Sequence, residues 1–177
     1  MKALGLIAGV LVLTVAALLV YASTRPDNFR VQRSASIGAP PEKVYANLAD
    51  FQRWPAWSPW EKRDPGMKRT VSTPSAGKGA TYAWEGNNDV GSGRMEIVEA
   101  EPAKKLGIKI DFLKPFEAHN AVDFTLRPSG NATEVTWAMY GPATFTTKLI
   151  GVFMDMDAMV GKDFEAGLAN LKAVSEK

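Results

Sequence analysis

The sequence contains no cysteine, and His119 is its only histidine. The missing cysteines exclude disulfide bonds, thiolate metal sites and cysteine nucleophiles. A single histidine outside any HExxH or paired His/carboxylate spacing indicates no metal site. The chain also lacks a Gly-x-Ser-x-Gly elbow, and its GKGATY and GNNDVGSG stretches lack the spacing of phosphate-binding loops. We therefore predict no metal, no cofactor and no catalytic motif.

Runs of like charge are also absent. The formal net charge is +2, and Lys and Arg are interspersed with Asp and Glu along the whole chain. Such mixing is typical of a solvated surface and provides no basic stripe for nucleic acid. The sequence therefore predicts no nucleic-acid partner, and it leaves the oligomeric state open.

Only one long apolar run is present, from Ala3 to Ala22, and it carries no charge. A helix of about 20 residues spans the hydrocarbon core of a bilayer, whereas the core of a typical secretory signal is shorter. We predict a single-pass membrane anchor or uncleaved signal segment over residues 1–24, with a cleaved signal as the alternative. Residues 25–28 form a linker and residues 29–177 a single domain. Positive charges flank both ends of the run, so the side of the membrane stays open.

Hydrophobic periodicity predicts an antiparallel sheet followed by one long helix. A strand over Phe29–Ile37 leads into a short helix that begins at Pro41. Six more strands are predicted at Met67–Thr73, Ala80–Glu85, Gly93–Ala100, Leu106–Phe112, Phe116–Arg127 and Thr133–Tyr140. From Thr144 to Glu176 apolar residues recur at steps of three and four, which predicts an amphipathic helix, with Gly161 marking a kink or a close approach.

Three of the five tryptophans lie in the stretch FQRWPAWSPWEK, at Trp54, Trp57 and Trp60. A spacing of three between prolines predicts a 3₁₀ turn with all three rings along one side. Two interpretations stay open. The rings either plug one end of the sheet as core, or some of them line a cavity, because tryptophan offers apolar area and one N–H.

Alternation along the strands divides the sheet into two faces. One face is apolar and aromatic and includes Tyr82, Trp84, Trp137 and Met139. Glu85 and Glu96 are out of phase with it and fall on the polar face. On the C-terminal helix, Phe153 and Met156 are candidates either for the core or for an adaptable cavity wall.

Several motifs together resemble the helix-grip fold of the START-like (SRPBCC) superfamily, in its polyketide cyclase/dehydrase and lipid-transport-like branch. The strand-to-helix entry IGAPPEKVY, the aromatic turn LADFQRWPAWSPW and the closing stretch DFEAGLANLK carry the likeness. The resemblance implies an α+β fold in which a curved antiparallel sheet wraps around a long C-terminal helix. It also implies a cavity for small hydrophobic ligands such as lipids, sterols, polyketides or quinones.

Three functional hypotheses follow. The first is a membrane-tethered or exported, non-enzymatic binding domain for a hydrophobic small molecule held between the sheet and the C-terminal helix. The second is a cyclase or hydratase-like enzyme that uses Tyr82, His119 or Tyr140 in the same cavity. The third is a ligand-free interaction module whose own side chains fill the cavity. The first hypothesis predicts these ligand-binding residues: Trp54, Trp57, Trp60, Tyr82, Trp84, Trp137, Met139, Phe153 and Met156.

Overall fold

A computed structural model describes residues 2–177, without the side chains of residues 2–5, 8 and 156. The helices are α1 (Lys2–Ser23), α2 (Pro41–Leu48), α3 (Phe145–Phe153) and α4 (Met156–Ser175). The strands are β1 (Asn28–Ile37), β2 (Lys68–Val71), β3 (Thr81–Glu85), β4 (Ser92–Glu101), β5 (Lys105–Lys114), β6 (Ala118–Ser129) and β7 (Ala132–Pro142). Two 3₁₀ turns, Phe51–Ala56 and Pro59–Lys62, lie between α2 and β2.

The seven strands form one antiparallel sheet in the order β1-β7-β6-β5-β4-β3-β2. Strands β2 to β7 pair with their neighbours in sequence, whereas β1 pairs with β7 and runs from Asn28 opposite Pro142 to Ile37 opposite Thr133. This arrangement confirms the predicted α+β class and the antiparallel sheet.

The predicted division of the sheet into two faces is confirmed. Ile97, Ile108, Phe124, Val135 and Trp137 are at most 2% exposed, whereas Glu85 and Glu96 are exposed. The period of two places the apolar members of each strand on the side that α4 covers. There Phe164, Leu168 and Leu171 of α4 complete the core.

The tryptophan stretch forms 3₁₀ structure as predicted, but as two turns and not one. Asp50 begins the first turn by accepting a hydrogen bond from the Gln52 amide on its carboxylate. The Trp54 ring lies 4.9 Å from Trp57 and 5.1 Å from Phe51 between ring centroids. Prolines fix the backbone of these turns without requiring a long helix.

The prediction of one continuous C-terminal helix is wrong. The backbone of Met154 is extended, so α3 ends at Phe153. The Asp155 carboxylate accepts a hydrogen bond from the Ala158 amide at 3.0 Å and thereby caps the N-terminus of α4. An aspartate offers the backbone this alternative to helix continuation. Gly161 lies inside α4 beside the guanidinium of Arg33, so it marks a close approach and not the break.

The predicted N-terminal helix is present as α1, which packs against α3 at its C-terminal end. Ala22 is buried there, and the Arg25 guanidinium donates a hydrogen bond to the Gly151 carbonyl at 3.1 Å. Within the described residues, no helix reaches the length and apolarity that a membrane crossing requires. The structure therefore does not support the predicted membrane span.

Candidate functional site

A cavity of about 420 Å³ opens between the sheet and the first turns of α4. The inner face of the sheet forms its floor, α4 forms one wall, and the 3₁₀ turns and the loop from β3 to β4 close the other sides. The walls are mostly apolar, and they include these aromatic residues: Trp54, Trp60, Tyr82, Trp84, Phe112, Trp137 and Phe164. The volume lies within the range of small-molecule pockets, about 300–1,000 Å³.

Aromatic contacts hold this wall in place. Trp137 stacks on Phe164 with a centroid distance of 4.1 Å and an interplanar angle of 7°. Trp60 meets both rings edge-on, at 5.8 Å from Trp137 and 6.4 Å from Phe164. Because each ring fixes its neighbours, the cavity is a preformed feature of the fold.

The structure brings most of the predicted ligand-binding residues to this cavity. Trp54, Trp60, Tyr82, Trp84, Trp137 and Met139 all line it. Met159, Val160 and Phe164 of α4 also line it. The sequence had offered Met159 either as core or as cavity wall, whereas Val160 and Phe164 were missed as site residues, although their helical spacing placed them on an apolar face.

Three of the predicted residues stand apart. Trp57 lies in the core beside the cavity; it is 1% exposed, and its indole N–H donates to the Asn47 carbonyl at 3.1 Å. Phe153 is 71% exposed at the end of α3, because the break at Asp155 separates its helix from α4. The side chain of Met156 lies outside the described residues.

A polar cluster in the cavity wall was not foreseen. Glu61 is buried, and its carboxylate accepts the Tyr82 hydroxyl at 2.8 Å and the Arg69 guanidinium at 2.5 Å. Burial, followed by the hydrogen bond to Glu61, raises the pKa of Tyr82. Glu61 follows a tryptophan in a polar turn, so the sequence alone indicates a surface residue; only its contacts with distant residues show otherwise.

The indole N–H of Trp137 is the one buried side-chain polar atom without a hydrogen-bond partner in the described part of the chain. Buried donors are normally paired, because an unpaired one costs free energy of desolvation. Trp137 lines the cavity, so this donor belongs to the wall of the candidate site.

Two residues that the enzyme hypothesis assigned to the cavity, His119 and Tyr140, lie on the opposite face of the sheet. His119 contacts Asp111 through Nδ1 at 2.7 Å, and its side chain is 59% exposed. The Tyr140 hydroxyl donates to Asp123 at 3.1 Å. Neither residue lines the cavity, because each is out of phase with the apolar members of its strand, so placing them beside Tyr82 was wrong. His119 also holds the pKa of the buried Asp111 down at about 2.

No group of three or more His, Cys, Asp or Glu side chains that would hold a metal ion occurs in the described part of the chain. The chemistry that the cavity offers is therefore apolar contact, aromatic stacking and the Glu61–Tyr82 pair. In that pair Tyr82 donates its only hydroxyl proton to Glu61.

A family model described as polyketide cyclase/dehydrase and lipid transport matches residues 28–176. None of the curated proteins matches the sequence significantly.

Solved structures share the fold at low sequence identity. CV1439 from Chromobacterium violaceum has a TM-score of 0.60 at 17% identity, over 86% of this chain and 99% of its own. The Aha1 dimer from Colwellia psychrerythraea has a TM-score of 0.58 at 20% identity, over 84% and 96%. DynU16, from the dynemicin biosynthetic locus, has a TM-score of 0.60 at 18% identity, over 86% of this chain and 48% of its own. These similarities show the fold alone.

Proposed function

The chain belongs to the polyketide cyclase/dehydrase and lipid-transport family, and on that premise we propose that it binds a small hydrophobic molecule in the cavity between the sheet and α4. The family description and the occurrence of the structural neighbour DynU16 in a biosynthetic locus support this class of ligand. Lipids, quinones and polyketides are the candidates.

The observation that carries the proposal is the unfilled aromatic cavity of about 420 Å³. Burying apolar ligand surface there is worth about 25 cal/mol per Å² before the entropic costs of association. The preformed wall lowers those costs, because few side chains must be ordered when the ligand enters. The protein's own side chains leave this space open, which argues against the ligand-free interaction module.

A cyclase or hydratase-like enzyme is the second candidate, because Tyr82 and Glu61 form a buried proton-sharing pair in the cavity wall. Two features favour binding without catalysis. Burial raises the pKa of Tyr82, which makes the loss of its proton harder, and Arg69 engages the Glu61 carboxylate. A catalytic pair must release or take up a proton, whereas here the Tyr82 proton and the Glu61 carboxylate are each held by a partner.

The test is native mass spectrometry of the full-length protein purified from its own host, followed by release and identification of any bound small molecule. Met139→Trp fills the cavity with a larger side chain, and Leu113→Trp makes the same change at a site that is 53% exposed. We expect a stoichiometric apolar molecule in the wild type and in Leu113→Trp, and its loss in Met139→Trp. A protein that is empty and binds no apolar probe would overturn the proposal.

We propose separately that α1 attaches the protein to a membrane through its exposed apolar side chains. Its apolar side chains are largely exposed; Leu6, Leu11 and Leu13 are 71%, 63% and 71% exposed. An attached binding domain would stand close to a source of apolar ligands.

The test of membrane attachment is flotation of the full-length protein with phospholipid vesicles. Leu11→Asp combined with Leu13→Asp should abolish flotation, because burying charge in hydrocarbon is costly. Ser129→Asp, at the end of β6, should leave it unchanged. Equal flotation of all three proteins would contradict the role of α1.

A further inference from the structure

The polar groups of the cavity offer hydrogen-bond acceptors at one place. Tyr82 has a single hydroxyl proton, and it donates that proton to Oε1 of Glu61 at 2.8 Å. A phenol oxygen has two lone pairs and a carboxylate about four acceptor positions, so both groups keep free acceptor capacity. Neither keeps a free proton. Tyr82 and Glu61, called here the acceptor pair, therefore favour a ligand that donates a hydrogen bond.

The nearest cation does not offset this preference. The Arg69 guanidinium contacts Oε2 of Glu61 at 2.5 Å and the Met67 carbonyl at 3.0 Å, and Arg69 does not line the cavity. Among the described residues that do line it, the only cation is the exposed Lys114 at the end of β5. The buried neutral groups Ser58 and Trp137 supply no charge. The unpaired Trp137 indole N–H is a donor that a ligand oxygen, including the oxygen of a hydroxyl group, can accept from.

An anionic ligand group would therefore be disfavoured in the interior. The oxygen atoms of a ligand carboxylate would face the oxygen atoms of Tyr82 and Glu61 with no proton between them. The carboxylate charge would also be removed from water without a counter-ion. Burying an ionised group without a partner costs several kcal/mol or is avoided by neutralisation. A neutral hydroxyl group meets neither penalty.

The apolar wall selects the body of the ligand. The rings of Trp54 and Trp84 lie 6.4 Å and 6.3 Å from the Tyr82 ring between centroids. Offset or edge-on contacts with such rings favour an aromatic partner. Resting on the proposed function, we infer that the ligand is a neutral aromatic or polycyclic alcohol or phenol whose hydroxyl donates to the acceptor pair. A fatty-acid carboxylate, or a quinone with acceptor oxygens only, leaves the acceptor pair without a donor, whereas a hydroxyl group can donate to that pair and still has lone pairs for the unpaired Trp137 N–H.

Three molecules of similar size test the inference by calorimetric titration of the full-length protein at pH 7. The first, 2-naphthol, is neutral and donates a hydrogen bond; 2-methoxynaphthalene only accepts; and 2-naphthoate is anionic. We expect 2-naphthol to bind at least about tenfold more tightly than 2-methoxynaphthalene, because one hydrogen bond to a charged acceptor contributes about that much affinity. The naphthoate should bind weakest.

Two variants test whether the preference for 2-naphthol arises at the acceptor pair. Tyr82→Phe keeps the ring and removes one acceptor, and Glu61→Gln replaces the carboxylate by a neutral amide of the same shape. Either change should weaken 2-naphthol binding at least about fivefold, the loss expected for a hydrogen bond worth about 1 kcal/mol, and leave 2-methoxynaphthalene within about twofold. Tyr82→Phe leaves the Glu61–Arg69 pair in place, so it provides the test even if Glu61→Gln fails to fold. Met139→Leu is the matched control at an apolar position and should change all three affinities alike.

The outcomes separate this inference from the proposed function. Equal binding of the three molecules, or tighter binding of 2-naphthoate, would overturn the acceptor-pair inference and leave the cavity as a binding site. A preference for 2-naphthol that survives both variants would also overturn it. Failure of all three to bind, together with failure of a neutral apolar dye, would overturn both.

Discussion

The two ends of the space between the sheet and α4 use similar residues with opposite results. At the closed end, Leu48, Phe51, Trp57, Leu168 and Leu171 are at most 2% exposed, and none of them lines the cavity described above. At the open end, Trp84, Phe112 and Met139 are only partly buried and border the cavity.

The difference comes from the backbone around these residues. At the closed end α2 and the first 3₁₀ turn insert between the sheet and the last turns of α4. At the open end α4 has only begun, after the break at Asp155, and α3 has no buried residue. A cavity thus arises from where the elements start and stop, and the apolar residue types alone do not determine it.

The largest expected effect comes from opening the closed end. Trp57→Ala should lower the free energy of unfolding by about 3–5 kcal/mol, the usual cost of removing a fully buried aromatic side chain. Urea denaturation followed by circular dichroism measures it. Trp84→Ala is the matched change at the open end and should cost less, because its ring already borders empty volume. Equal losses would contradict the distinction between the two ends.

Two glycines of α4 allow a finer test of the same comparison. A Cβ at Gly167 would lie 2.6 Å from the Trp137 ring and 3.1 Å from Pro59. Because the Trp137 ring is held by its stack on Phe164, Gly167→Ala should cost about 1–3 kcal/mol through overpacking.

Gly161→Ala is the control on the same helix. The three atoms nearest to its Cβ would all belong to the Arg33 guanidinium, which is the end of a flexible side chain and pairs with Asp157 and Glu165. The helix preference of alanine, up to about 1 kcal/mol, should offset much of that loss. Thermal denaturation of both variants decides the prediction, which is wrong if Gly161→Ala costs as much as Gly167→Ala.

The outer face behind the open end should respond to acid. Asp111 lies on β5 between the cavity residues Ile110 and Phe112, and the His119 hydrogen bond, with Arg94 and Lys109, lowers its pKa from the ordinary value of 3.8 to about 2. A carboxylate with a lower pKa in the folded state stabilises the fold above about pH 4. That stability is lost as the pH falls towards about 2.

Urea denaturation from pH 2 to pH 6 checks this expectation. Asp111→Asn should reduce the slope of stability against pH in this range, whereas Asp64→Asn serves as the control carboxylate outside the His119 cluster. A slope unchanged by Asp111→Asn would contradict the assignment of this acid response to Asp111.

The smallest expected effect is at a residue that the helix pattern placed beside the cavity. Phe153→Ser should change the free energy of unfolding by less than about 0.5 kcal/mol, because the ring is 71% exposed. It should also leave ligand affinity unchanged. Calorimetric titration with 2-naphthol measures that affinity, and a clear loss would show that α3 closes over the cavity.

The sequence was sufficient to predict the sheet, its faces and much of the cavity wall. In β3 to β7 the alternation of apolar and polar residues identifies the inner face directly, because a period of two is visible within each strand. The same signal excludes Tyr140, because its neighbour Met139 already occupies the inner face of β7. Trp54 and Trp60 were predicted from the 3₁₀ spacing, which is also local.

Features that depend on distant partners were not predictable. Glu61 is buried only because the fold brings it to Tyr82 and Arg69, and a charged residue in a turn indicates solvent exposure when taken alone. The break at Asp155 was hidden because the apolar spacing of three and four continues across it. Trp57 and Trp54 have the same sequence signal, and only packing decides that one is core and the other borders the cavity.

The pairing of β1 with β7 determines when the fold can be completed. Strands β2 to β7 pair with sequence neighbours and can assemble through short-range loop closures, whereas β1 waits for residues 133–142, about a hundred positions later. On the ribosome, the domain therefore carries an unpaired first strand until nearly its whole length has emerged. The cavity is bounded by β7 and α4, so it forms only after α4 has been synthesised.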